Sequence, residues 1–130
     1  MNKGDRIVIG VLKGPVTAAF RRDAGRWLCT ALQFDIVGIG DTRDEARSEM
    51  HALVNAYLEN IIRKPGPVEF YNRAEAVEWQ GADKEHFLVA FAFAGIAPEV
   101  LDAKSLSRYR NRIRDAKLIP CPDVPTMIPA

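Results

Sequence analysis

Ile36-Val37-Gly38-Ile39-Gly40-Asp41-Thr42-Arg43-Asp44-Glu45-Ala46 is the stretch in which the chain changes period. Up to Gly40 it is apolar and β-branched, as a strand is, although Gly38 and Gly40 either weaken that strand or let another chain approach it closely. Thr42-Arg43-Asp44-Glu45 then has the spacing of a capping box. The Thr42 hydroxyl is expected to accept from the Glu45 amide, and the Glu45 carboxylate to return to the Thr42 amide. Asp44 and Glu45 put negative charge at the positive end of the helix dipole, Arg63 and Lys64 put positive charge at the other end, and Pro65 halts the helix. Between these signals Ala46, Met50, Leu53, Val54, Tyr57, Leu58, Ile61 and Ile62 predict one broad apolar face, with Arg47, Ser48, Glu49, Asn55 and Glu59 largely off it. Such a face must cover a sheet.

The sheet is sought on both sides of the helix. Val16, Ala18 and Phe20 alternate with Thr17, Ala19 and Arg21, and Trp27, Cys29 and Ala31 alternate with Leu28, Thr30 and Leu32. These are two antiparallel strands, joined by Arg22-Asp23-Ala24-Gly25, with glycine where a tight hairpin needs positive φ. Ile7 to Leu12, closed by Gly14-Pro15, reads as a short strand or an extended arm. After the helix, Pro65-Gly66-Pro67 is a turn, Val68 to Tyr71 reads as a strand and Ala74 to Trp79 fits either type. Phe87, Val89, Phe91 and Phe93 alternate with Leu88, Ala90, Ala92 and Ala94, which predicts a buried strand whose edge is covered either in a homodimer, the favoured reading, or by the proline-rich tail or last helix of the same chain. Pro98 is placed in the first turn of a short helix through Leu101, and Ser105 as the cap of another through Leu106, Tyr109, Ile113 and Ala116. Prolines 120, 122, 125 and 129 make the tail from Ile119 extended.

The predicted fold is therefore α+β: a small, antiparallel-dominated sheet of order β-β-β-α-β covered by one long amphipathic helix. It occupies residues 1–97, and residues 98–130 add a helical extension with a proline-rich tail to the same compact unit.

At 130 residues the chain is long enough to bury a core without staples. A net charge of +1 argues against nonspecific nucleic-acid binding by the whole surface. Cys29 and Cys121 lack paired spacing and read as free thiols. The apolar runs are too short to span a bilayer and the N-terminus lacks a small-residue cleavage site, so a cytoplasmic protein without a membrane role is expected. Gly38 and Gly40 lack the further glycine and lysine of a phosphate-cradling loop, so no cofactor is predicted. A metal-dependent nuclease needs converging carboxylates. Asp41, Asp44 and Glu45 are better explained as helix-start residues, Asp35 stands at a strand edge, and no metal site is predicted. His51 and His86 read as boundary residues. The highest basic density is Lys104 to Lys117, where one helix would put Arg108 and Arg112 on one face and Arg110, Arg114 and Lys117 on another, in reach of phosphates.

Gly25-Arg26-Trp27-Leu28-Cys29-Thr30-Ala31-Leu32, continued by Ile39-Gly40-Asp41-Thr42-Arg43-Asp44-Glu45-Ala46, resembles the HicB-like antitoxin family, in which a hairpin, a strand, Gly-Asp-Thr and a Glu-Ala helix follow one another. The resemblance runs from Val16 to about Ala94 and implies a partial ribonuclease H-like unit. It implies a non-enzymatic binding module that neutralises a small HicA-like ribonuclease toxin by covering its active surface. The chain departs from the family in having Gln33-Phe34-Asp35-Ile36-Val37 where many members carry a Pro-Gly-Cys turn, and no appended DNA-binding segment is traceable. Nucleic-acid binding through the arginine-rich segment is the alternative to a protein partner, as is an orphan domain without a toxin.

Overall fold

Four strands precede the long helix: β1 (Ile7–Leu12), β2 (Val16–Asp23), β3 (Arg26–Ala31) and β4 (Ile36–Gly40), in a computed structural model that describes residues 7–64, 81, 83–95 and 100–121. The hairpin closes on the Asp23–Arg26 pair. Ala24 and Gly25 both take positive φ, 53° and 80°, which is the turn whose twist matches that of the flanking strands. β4 adds antiparallel to β3. Gly38 and Gly40 face the helix of the same chain: a Cβ on Gly38 would collide with the backbone of Ala46 and Met50, and one on Gly40 with Glu45 and Ala46. The close approach foreseen at these glycines is therefore made by the chain's own helix.

That helix, α1 (Arg43–Arg63), starts at Thr42, whose Oγ1 accepts from the Glu45 amide at 3.1 Å. The Glu45 carboxylate reaches back one residue further than the capping box predicts, accepting from the Asp41 amide at 3.0 Å. Its buried residues are Ala46, Met50, Val54, Leu58 and Ile62, one straight i, i+4 ridge. Tyr57 and Ile61 pack partly buried beside it, but Leu53, expected in the core, is 43% exposed. The helix is rotated so that its second inward row is Arg47, His51 and Asn55 instead. Each has a partner further along the chain: Arg47 binds Glu85, His51 meets the Phe87 ring edge-on at 4.6 Å, and Asn55 Oδ1 accepts from the Leu118 amide at 2.9 Å. These contacts fix the rotation where apolar periodicity alone leaves it open.

Beyond α1 come β5 (Lys84–Ala94), β6 (Val100–Leu101), α2 (Ala103–Tyr109), one 3₁₀ turn (Arg110–Arg112) and β7 (Ile113–Pro120). The sheet runs β4-β3-β2-β5-β1-β6, with β7 on the other edge of β5. All pairings are antiparallel except β1 with β6. The α+β class holds, with a mostly antiparallel sheet, but the order differs from that expected. A strand precedes the β-β-β-α-β run, and what was expected as a helical extension is largely strand. Val100–Leu101 pairs with Val11–Leu12 where a helix was expected, and Asp102 rather than Ser105 caps α2, accepting from the Ser105 amide at 2.7 Å. Ile113 and Ala116 lie in β7, as do Ile119 and Pro120 of the expected tail. β7 closes the β5 edge on which the homodimer was argued. The expected turn at 65–67, strand at 68–71, undecided stretch at 74–79 and helix start at 98 lie outside the described residues, as does the tail beyond 121.

β5 organises the core. Phe87, Val89, Phe91 and Phe93 point to α1 with Val16, Ala18, Phe20, Cys29, Ala116 and Leu118. Phe93 also meets Tyr109 edge-on with centroids 6.0 Å apart, which anchors the end of α2.

Candidate interaction surfaces

α1 covers one face of the sheet. On the other face the register brings Ile7, Ile9 and Val11 of β1 beside Ala94, Ala92 and Ala90 of β5, and Val11 beside Val100 of β6. The alanines are too small to bury their neighbours, so Ile7 is 52%, Ile9 58% and Val100 59% exposed. A groove of about 270 Å³ runs along Val11, Lys13, Pro15, Leu88 and Val100. A second of about 220 Å³ lies over Ile9, Ala90 and Ala92 and is bounded by Asp115, Lys117 and Ile119. At the far end of the same face Val37 and Ile39 of β4 are each 38% exposed. The other end of that strand is closed by Gln33, whose Oε1 accepts from the Thr17 amide at 2.7 Å and whose Nε2 donates to the Pro15 carbonyl at 3.2 Å. Gln33 thus ties the turn before β4 to the start of β2.

Charge gathers at the two ends of α1. At the N-terminal end Arg47 holds Glu85 through two bonds of 2.7 and 2.6 Å and also binds Asp44. Arg43 binds Asp83, approaches Glu85 at 3.4 Å and lies 4.1 Å over the Phe20 ring. The hydrogen bonds from Arg47 hold the Glu85 carboxyl below its usual range, and Glu85 in turn raises Arg47. Burial pushes the neighbouring Cys29 thiol up to about 12, with the Glu85 charge adding to it, so Cys29 is an inert core residue. Burial, then the nearby Arg47 charge, lowers the pKa of His51, whose Nε2 is buried without a hydrogen-bond partner. Asp41 stands 3.8 Å from Arg26. Asp35 is exposed at positive φ in the turn before β4. The carboxylates that a nuclease would have to draw on are thus spread over separate contacts. Among the described residues no three His, Cys, Asp or Glu side chains are placed to hold a metal ion, and no helix is long and apolar enough to cross a membrane.

The arginine-rich segment does not form the two-faced helix that was expected. Arg108 ends α2, Arg110 and Arg112 lie in the 3₁₀ turn, and Arg114 and Lys117 lie in β7. Arg114 is the extra residue of a β-bulge, because Asp115 pairs with Ala92 and Ile113 with Phe93. Arg110 and Arg114 come together with Asn111 in a recess of about 410 Å³ closed by Ile62, Ile113 and Arg63. Lys117 is carried away to the opposite face, beside Ile9. Arg63, read from sequence only as a helix-end charge, is the member that sequence reasoning missed. No local signal links it to residues 110 and 114.

Comparison of the chain with protein-family models, with curated proteins and with solved structures gives no match.

Proposed function

We propose that this chain is a non-enzymatic, HicB-like binding module that neutralises a small ribonuclease toxin by covering it with the exposed β1–β6 part of the sheet face opposite α1. One observation carries the reading: the face opposite α1 presents Ile7, Ile9 and Val100 more than half exposed around two shallow grooves. Exposed apolar groups carried on a sheet favour a protein partner, whose own side chains fill the grooves and exclude water. The hairpin β2–β3, the strand β4 and the Thr42-capped helix, in the order that carries the family resemblance, lend support. Asp115 and Lys117 at the groove margin supply polar contacts that fix orientation.

The test is co-expression with the small protein encoded by the adjoining reading frame, followed by assay of RNA cleavage by the purified pair. Stoichiometric suppression of cleavage is expected, with Ile9→Arg weakening the complex by at least about tenfold. Ile9 is exposed, so the variant should fold. Undiminished cleavage in the presence of excess chain would overturn the reading. Light scattering on the free chain reads its self-association separately, since the β5 edge on which a dimer was argued is taken by β7.

A further inference from the structure

We propose that the recess between the C-terminal end of α1, the 3₁₀ turn and the start of β7 is a binding site for a phosphate-class oxyanion. It lies on the helix side of the sheet and is independent of the toxin-covering face.

Arg63, Arg110 and Arg114 reach this recess from three elements, with Asn111 adding a neutral amide. Arg110 Nε and Nη2 are buried and have no hydrogen-bond partner. A guanidinium cannot shed its proton, so these donors stay unsatisfied as placed, and turning the guanidinium towards the recess would let an anion meet them. The like charges of Arg63 and Arg114 make this worse unless a counter-charge sits between them. Among the described residues the carboxylates at hand do not supply it: Glu59 stands 3.7 Å from Arg63 in an exposed pair. Asp115 Oδ1 accepts from the Ala116 amide at 3.0 Å. At the end of α1 the carbonyls of Asn60 and Ile61 accept from the Lys64 amide. The partial negative charge of the helix end attracts the arginines to this place but is smaller than the charge they bring.

Several guanidinium forks around one cavity suit a tetrahedral, multiply charged anion with oxygens on all sides. At about 410 Å³ the recess admits a phosphate together with a substituent, and its Ile62 and Ile113 walls give that substituent an apolar contact. The ligand class is therefore inorganic phosphate or a phosphomonoester.

Calorimetric titration of the full chain at fixed ionic strength decides the matter, with inorganic phosphate, adenosine 5′-monophosphate and adenosine as probes and chloride as the balancing anion. Saturable one-to-one binding of phosphate is expected, with adenosine inert. Tighter binding of the monophosphate than of phosphate assigns the site to esters, and the reverse to the free ion. Arg114→Gln, at an exposed position, should weaken binding by about tenfold, while Lys117→Gln on the other face leaves it unchanged. Arg110→Gln should abolish binding and melt no lower than the unaltered chain in phosphate-free buffer, a result that a merely structural arginine would not give. Phosphate effects no larger than those of chloride, or full binding by Arg114→Gln, would overturn the proposal.

Discussion

The two ends of α1 use the same side chain to opposite effect. At the N-terminal end Arg43 and Arg47 are met by Asp44 from their own helix and by Asp83 and Glu85 from the approach to and first residues of β5. Their charge is consumed in fixing how the helix lies on the sheet. At the C-terminal end Arg63, Arg110 and Arg114 share a recess, and among the described residues neither Arg110 nor Arg114 is paired with a carboxylate. Arginine content therefore says little about what an arginine does. The discriminating quantity is whether acceptors arrive from the elements packed against it, and that is decided by topology.

The comparison depends first on the rotation of α1, and the largest predicted effects test it. Met50→Ala should cost about 2–5 kcal/mol in chemical denaturation, because its side chain is fully buried on the central ridge. Leu53→Ala should cost less than about 1 kcal/mol, since much of that side chain already meets water. Equal costs would mean that the helix faces the sheet as apolar periodicity alone suggests, and would detach Arg47 from Glu85. The next effect contrasts the ends directly. Glu85→Gln should destabilise by about 2 kcal/mol, because it takes the counter-charge from a half-buried guanidinium pair that solvent screens only in part. Arg110→Leu should be neutral or stabilising in phosphate-free buffer, since it removes donors that have no acceptor. The same sign at both ends would erase the distinction. Thr42→Ala should cost about 1 kcal/mol by leaving the Glu45 amide without its cap, as read from the melting temperature.

What could be read from sequence follows the range of the interactions responsible. The hairpin, its turn at Gly25 and the cap at Thr42 are set by residues within a few positions of one another, and alternation or spacing displays them. The inward row of Arg47, His51 and Asn55 was invisible because its partners Glu85, Phe87 and Leu118 are far along the chain. Leu106, Tyr109, Ile113 and Ala116 carry a helical spacing that the first two obey. From Ile113 the open edge of β5 offers a ladder of backbone partners, and pairing there overrides local periodicity. The same switch from helix to strand scatters the five basic residues expected on one helix, and it brings Arg63 to Arg110 and Arg114.

The smallest predicted effect concerns the histidine that lies between the two ends. His51 packs against Phe87 with Nε2 buried and unpartnered, and both burial and the Arg47 charge disfavour its protonated form, so its folded pKa lies below the ordinary 6.5. Above that value the imidazole is neutral in the folded and unfolded chain alike. As pH falls from 6.5 towards the lower folded value, the unfolded chain takes up a proton that the folded chain refuses, and stability declines. Glu85, whose pKa is depressed from 4.5, loses its contribution only below that value, so between 6.5 and 4.5 its loss does not add to that of His51. Denaturation midpoints followed from pH 7.5 down to about 5 should fall for the unaltered chain and flatten for His51→Phe, which keeps the ring contact and removes the titration. An unchanged slope in the variant would place the titrating group elsewhere. The N-terminal arginine network would not account for that slope, because Glu85 titrates below the range followed.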